Sequence, residues 1–134
     1  DWVVLAAREE LDRQPATPFL PETTTKNVIV TLEGEFSGIV DVDEMGFGDP
    51  RFVAARTEAA IVVGQRPNPY VDRWLAASGA EADRTFRLYI AIALLEILAG
   101  LPAGDGEELA AARTRLRTLV EDHTHLLNVD WGLT

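Results

Sequence analysis

An asparagine and an aspartate frame the segment of this chain that is patterned as a β-hairpin. Residues 27–32 and 37–42 are rich in β-branched side chains and are separated by Glu33, Gly34 and Glu35, which reads as two strands joined by a short turn. With the turn centred on Gly34, Asn27 and Asp41 are cross-strand partners, at the roughly 5 Å separation of antiparallel neighbours. An amide oxygen beside a carboxylate, next to a loop over residues 15–26, suits a hard divalent cation. A plainer reading stays open, in which Asn27 caps the loop and Asp41 solvates a strand end.

Other reactive types are scattered around this pair. Asp43 and Glu44 extend an acidic run, and between Glu22 and Glu58 eight acids stand against three bases. That balance favours a cationic ligand, although solvated loop carboxylates have the same composition. Lys26, next to Asn27, is either a phosphate contact or an ordinary solvated lysine. Glu96 interrupts an apolar helical run, as a buried hydrogen-bonded acid or as a break in burial. His123 falls on an apolar helical stripe, and with Asp122 and His125 it offers too few ligands for zinc. No glycine-rich phosphate loop of the P-loop or kinase form occurs in the sequence.

The elements that position these residues follow from punctuation and period. A helix over 1–14 stops before Pro15 and Pro18. The 15–26 segment has no period and reads as a loop, as does the glycine-punctuated 44–48 segment. Asp49 and Pro50 open a helix that runs to Val63 and stops at Gly64, and Asn68 and Pro69 open a shorter one closed by Gly79. A helix over 81–99 is apolar on nearly all sides between Leu88 and Leu98, the mark of a buried centre. A last helix over 107–127 lines up Leu109, Ala112, Leu116, Leu119, Val120 and His123. Neighbouring apolar residues within both strands predict a hairpin covered on most of both faces. The expected fold is a single α+β domain, dominated by helices, with one embedded hairpin.

Composition narrows the classes. The 134 residues carry 12 basic and 22 acidic side chains, a formal net charge of −10, with 47% apolar residues and no cysteine. That is one domain's length with enough apolar content for a core. Such charge excludes a phosphate-backbone interface over most of the surface. The absence of cysteine excludes disulfides, thiolate metal sites and cysteine nucleophiles. No run is long enough to span a bilayer, and no basic-then-apolar leader opens the sequence. The expectation is a cytoplasmic protein with neither nucleic-acid nor membrane partners. The first residue is Asp1, which points to a piece of a longer polypeptide.

Three motif pieces in order carry a resemblance. Residues 24–30 (Thr-Thr-Lys-Asn-Val-Ile-Val), 38–43 (Gly-Ile-Val-Asp-Val-Asp) and 48–50 (Gly-Asp-Pro) together resemble the C-terminal lobe of aminoglycoside phosphotransferase- and choline kinase-like enzymes. That family has a catalytic loop H-x-D-x-x-x-x-N leading into a strand, a second strand ending I-D-W-E, and G-D-P at a helix start. The resemblance covers about residues 18–56 and implies a kinase-like C-lobe acting with Mg²⁺ and ATP or GTP on a small hydroxylated acceptor. It implies that Asn27 and Asp41 are the magnesium and nucleotide-phosphate ligands. Asp43 and Glu44 become an acidic floor for a cationic acceptor, and Glu22 stands where the family has its catalytic Asp. Leu20 replaces the family's His, and Val53 an Asp that often follows G-D-P. A phosphotransferase N-lobe does not fit ahead of the loop, so the chain alone is expected to be inactive or nearly so and to expose apolar surface suited to self-association. The alternative is a non-catalytic kinase-like module that binds a ligand or partner.

Overall fold

A computed structural model describes residues 8, 11–21, 26–43 and 45–130, the side chains of 124–130 excepted. Among them are four helices and two small antiparallel sheets, an α+β arrangement. Of the helix expected over 1–14, Arg8, Leu11 and Asp12 are described and helical, and Leu11 packs on the core.

The helices form where local signals put them. α1 (Arg51–Gly64) follows Asp49 and Pro50, and the Asp49 carboxylate accepts a hydrogen bond from the Arg51 amide at 3.0 Å. That satisfies one of the amides a first turn leaves without a partner. The helix continues through Gly64, and Gln65 closes it in the left-handed region at φ 51°. α2 (Tyr70–Ser78) opens with Asn68 Oδ1 accepting from the Tyr70 amide at 2.9 Å and ends at Gly79, φ 67°. α3 (Arg84–Ala99) starts later than the sequence pattern suggests, because Asp83 is its N-cap and accepts from the Phe86 amide at 3.0 Å. α4 (Glu107–Asp130) is the longest.

The core is built around α3, which lies between α1 and α4. Leu88, Ala91 and Leu94 are fully enclosed. Ala54, Ala55 and Ala59 of α1 join Phe86, Tyr89, Ile90 and Ala93 of α3 in one cluster, completed by Leu116 of α4 and by Val71 and Leu75 of α2. Small side chains on α1 let the two backbones approach, so that close packing does not require interdigitated large residues. Glu96 is a break in burial: it is exposed, 3.9 Å from Arg56. His123 is half-buried on the α4 stripe, with Nδ1 2.8 Å from the Leu119 carbonyl, to which it donates. Among the described residues no helix is long and apolar enough to cross a membrane.

The sheets depart from the sequence pattern in three ways. Both segments read as loops contain strands: β1 (Thr17–Phe19) pairs with β4 (Gly46–Gly48), Phe19 opposite Gly46. The glycines make room for an aromatic ring, since a Cβ on Gly46 would sit 3.0 Å from Phe19. The hairpin, β2 (Val28–Val30) with β3 (Phe36–Ile39), is shorter than residues 27–42 and carries an irregularity between Ile29 and Val30. Gly34 makes its turn at φ 85°. The third departure is coverage. Ile29, Val30, Phe36, Ile39 and Val40 are all exposed, so the ribbon stands off from the helices instead of being covered on both faces.

Candidate functional site

At the open end of the hairpin the register differs by one residue from that expected. Val28 faces Ile39, and the Val40 amide donates to the Asn27 carbonyl at 2.9 Å. Asn27 therefore stands opposite Val40, and Asp41 is one step further along. The turn is the cause: Val30 faces Phe36 and the Thr31 amide donates to the Glu35 carbonyl, which centres the turn on Glu33 instead of Gly34. The extra residue Ser37, opposite the step from Ile29 to Val30, takes back part of that offset. A one-residue slip would put Asp41 on the opposite face from Asn27 if the strand continued. It does not continue: Asp41 adopts φ 59°, in the left-handed region, and the chain turns out of the sheet there. Asn27 and Asp41 thus share one end of the hairpin, one residue out of register and not direct partners.

The remaining expected site residues are spread about this end. Asp43 is exposed, on the stretch between β3 and β4. Glu22 and Glu44 lie outside the described residues, so the general-base and acidic-floor assignments there have no structural description. Leu20 is half-buried just after β1, and Val53 is half-buried on the first turn of α1. Lys26 is exposed.

A largely buried polar network begins just after β4. Asp49 and Arg51 form a fork, with Arg51 Nε 2.9 Å and Nη2 2.7 Å from Asp49 Oδ2. Arg51 also donates through Nη1 to Asp83 at 2.8 Å and through Nη2 to Gln14 at 3.0 Å. Tyr89 completes the set, its hydroxyl donating to Asp49 Oδ2 at 3.3 Å. Burial pushes the Tyr89 phenol up to about 12, and the negative charge and hydrogen bond of Asp49 push the same way. The Arg51 guanidinium is held more firmly protonated than usual, foremost by its hydrogen bond to Asp49 and against the opposing effect of burial. For Asp83, burial would raise the pKa, but the Phe86 amide and Arg51 outweigh it and hold the carboxyl below its ordinary value. The network fastens β4, the N-termini of α1 and α3, and Gln14 to one another. Sequence reading found Asp49 as a helix start and missed its partners, which lie up to 40 residues away.

A second feature was not legible in the sequence at all. The hairpin face bearing Val28, Val30, Phe36 and Ile39 looks across a cleft of about 1000 Å³ to Val53, Arg56 and Ile61 of α1 and to Tyr70 and Trp74 of α2.

Among the described residues no group of three or more His, Cys, Asp or Glu is arranged to hold a metal ion. The pair at the hairpin end fits Mg²⁺ by donor type, since both offer hard oxygens and magnesium usually takes one or two protein ligands, with water and phosphate completing its shell. Comparison with known proteins finds no matching family model, no matching characterised protein and no matching solved structure.

Proposed function

We propose that this chain is the metal- and acceptor-holding part of a small-molecule phosphotransferase that uses ATP or GTP with Mg²⁺. The observation that carries the reading is the backbone at Asp41. A non-glycine residue with positive φ is a strained choice, and such strain collects where a side chain must be presented in one direction. Asp41 takes that conformation at the end of the hairpin where Asn27 begins the partner strand. Asp41 would supply the charge on the metal and Asn27 a neutral oxygen, while Asp43 and Glu44 would give an acidic approach for a hydroxylated, cationic acceptor. Glu22 would accept the acceptor's proton. When bound, Mg²⁺ would neutralise charge on the nucleotide phosphates. The reading covers one side of such a site and not turnover by this chain alone.

The offset of Asn27 against Val40 favours a second reading, a kinase-like module that binds a ligand or partner without catalysis. One titration tests both. Adding Mn²⁺·ATP, or Mn²⁺·GTP, to the ¹⁵N-labelled protein should broaden the amide signals around residues 27 and 41, and Asp41→Ala should abolish the effect. Broadening centred elsewhere, or unchanged in Asp41→Ala, would overturn the phosphotransferase reading and leave the binding module.

A further inference from the structure

Among the described residues the cleft between the hairpin and the helices is lined by no carboxylate, in a chain whose net charge is −10. Its walls are apolar on both sides. Val30 and Phe36 are well exposed on one wall, and the α1 and α2 side chains opposite leave the space between them open. Apolar surfaces held apart in water are unfavourable, and at about 1000 Å³ the space has the size of a small-molecule site.

The polar groups in the cleft select the ligand's sign. Arg56 has no hydrogen bond among the described residues, and its contact with Glu96, at 3.9 Å between half-exposed side chains, is a weak surface pair. Asn68 has its Oδ1 occupied by the Tyr70 amide at 2.9 Å, which leaves the Nδ2 protons to donate. The Tyr70 hydroxyl is a further donor. Thr57 turns its proton to the Val53 carbonyl at 3.1 Å. A guanidinium, an amide N–H and a phenol, with no carboxylate among the described lining residues, complement an acceptor-bearing anion.

We propose that this cleft binds an amphipathic carboxylate, its apolar body between the hairpin and α1 and its anionic end at Arg56. The site uses neither Asn27 nor Asp41 and stands independently of the phosphotransferase reading.

The test compares three ten-carbon probes below their micelle thresholds: decanoate, decanol and decylammonium. Binding is followed by amide shifts in the ¹⁵N-labelled protein. Decanoate should shift residues 28–39 and 56–61 and bind about tenfold more tightly than decanol or decylammonium, the scale of one charge-assisted hydrogen-bonded contact. Arg56→Gln should remove the preference while decanol still binds. Ala60→Phe, at an exposed position lining the cleft, should weaken all three. Decylammonium binding as tightly as decanoate would overturn the proposal, because it is what a negative net charge alone produces. So would shifts mapping outside the cleft, a preference that survives Arg56→Gln, or no binding by the wild-type chain. The comparison of the three probes on wild-type protein decides the sign of the ligand without relying on the folding of any variant.

Discussion

Arg51 reaches Asp83 across 32 residues of chain, Nη1 to Oδ2 at 2.8 Å, while the rest of its guanidinium clasps the buried Asp49. One side chain thus joins the first residues of α1 to the N-cap of α3. Asp49 and Arg51 are both largely enclosed, at 5% and 13% side-chain exposure, whereas Asp83 is 44% exposed. Removing the cation strands a buried carboxylate, a change that costs about 3–5 kcal/mol. Arg51→Met should therefore lose stability on that scale in urea denaturation. Asp83→Asn keeps a capping oxygen and removes only a half-exposed charge, so its loss should stay near 1 kcal/mol.

Two carboxyls make stability depend on pH in opposite senses. Asp83 has a depressed pKa in the folded protein. Its contribution is present above the unfolded value of about 4 and fades as pH falls through the folded one. Glu58 is raised, first by burial and then by the charge of Asp72, with His123 pulling the other way. Its ionisation therefore opposes folding once pH rises through its folded pKa. Glu58→Gln should raise the melting temperature at pH 7, and the gain should shrink towards pH 4. An equal gain at both pH values would mean that the effect is not electrostatic.

Gly46 and Phe19 give a steric test of the unexpected sheet. An added Cβ at Gly46 would meet the Phe19 ring at 3.0 Å. Gly46→Ala should cost about 1–3 kcal/mol, in the range of overpacking, and Phe19→Leu in the same chain should recover part of that loss. Additive effects in the double mutant would show that the ring does not lie over the glycine.

These particulars explain what was readable in the sequence. Helix starts at Asp49 and Asn68 and the stop at Gly79 are decided by residues within a few positions, so they can be found locally, whereas the cap at Asp83 lies inside the pattern that put a helix over 81–99. The turn at Gly34 is local too. The register at Asn27 depends on a turn centred on Glu33 and on the extra residue opposite the Ile29–Val30 step, which no residue type announces. β1 and β4 pair at sequence separations of 27 or more, and Gly46 and Gly48 carry little strand propensity of their own. Their pairing with β1 sets the Phe19 ring over Gly46, where a Cβ would meet it at 3.0 Å. The clasp of Arg51 and the cleft arise only when distant elements meet, and at Asp41 a backbone conformation matters that the sequence pattern around it hides.

Exposed apolar side chains on the sheets predict self-association. Leu32, Phe36 and Phe47 are 103%, 66% and 72% exposed, and large apolar side chains left in water favour contact between copies. The net charge of −10 opposes contact between copies at low ionic strength. Association measured by sedimentation should therefore increase with salt, as screening removes the repulsion. A combined Leu32→Ser and Phe36→Ser change should suppress it. A monomer at all concentrations and salt levels would show that these side chains do not form an interface between copies.

Asp41 allows conformation and chemistry to be separated. Its φ of 59° is free of steric penalty for glycine, tolerable for asparagine and aspartate, and unfavourable for most other residues. If the carboxylate is there for its chemistry, Asp41→Gly should leave stability unchanged or raise it by up to about 1 kcal/mol. The same change should remove Mn²⁺·ATP broadening at residue 27. Asp41→Asn should fold equally well and bind the metal–nucleotide more weakly, because it keeps an oxygen and loses the charge. Asp41→Ala should lose both stability and binding, so it cannot by itself distinguish the two roles. A loss of stability in Asp41→Gly would mean that the side chain holds the hairpin end together, and the left-handed backbone would then be a turn device. Unchanged stability with lost binding would assign the strain at Asp41 to the ligand it presents.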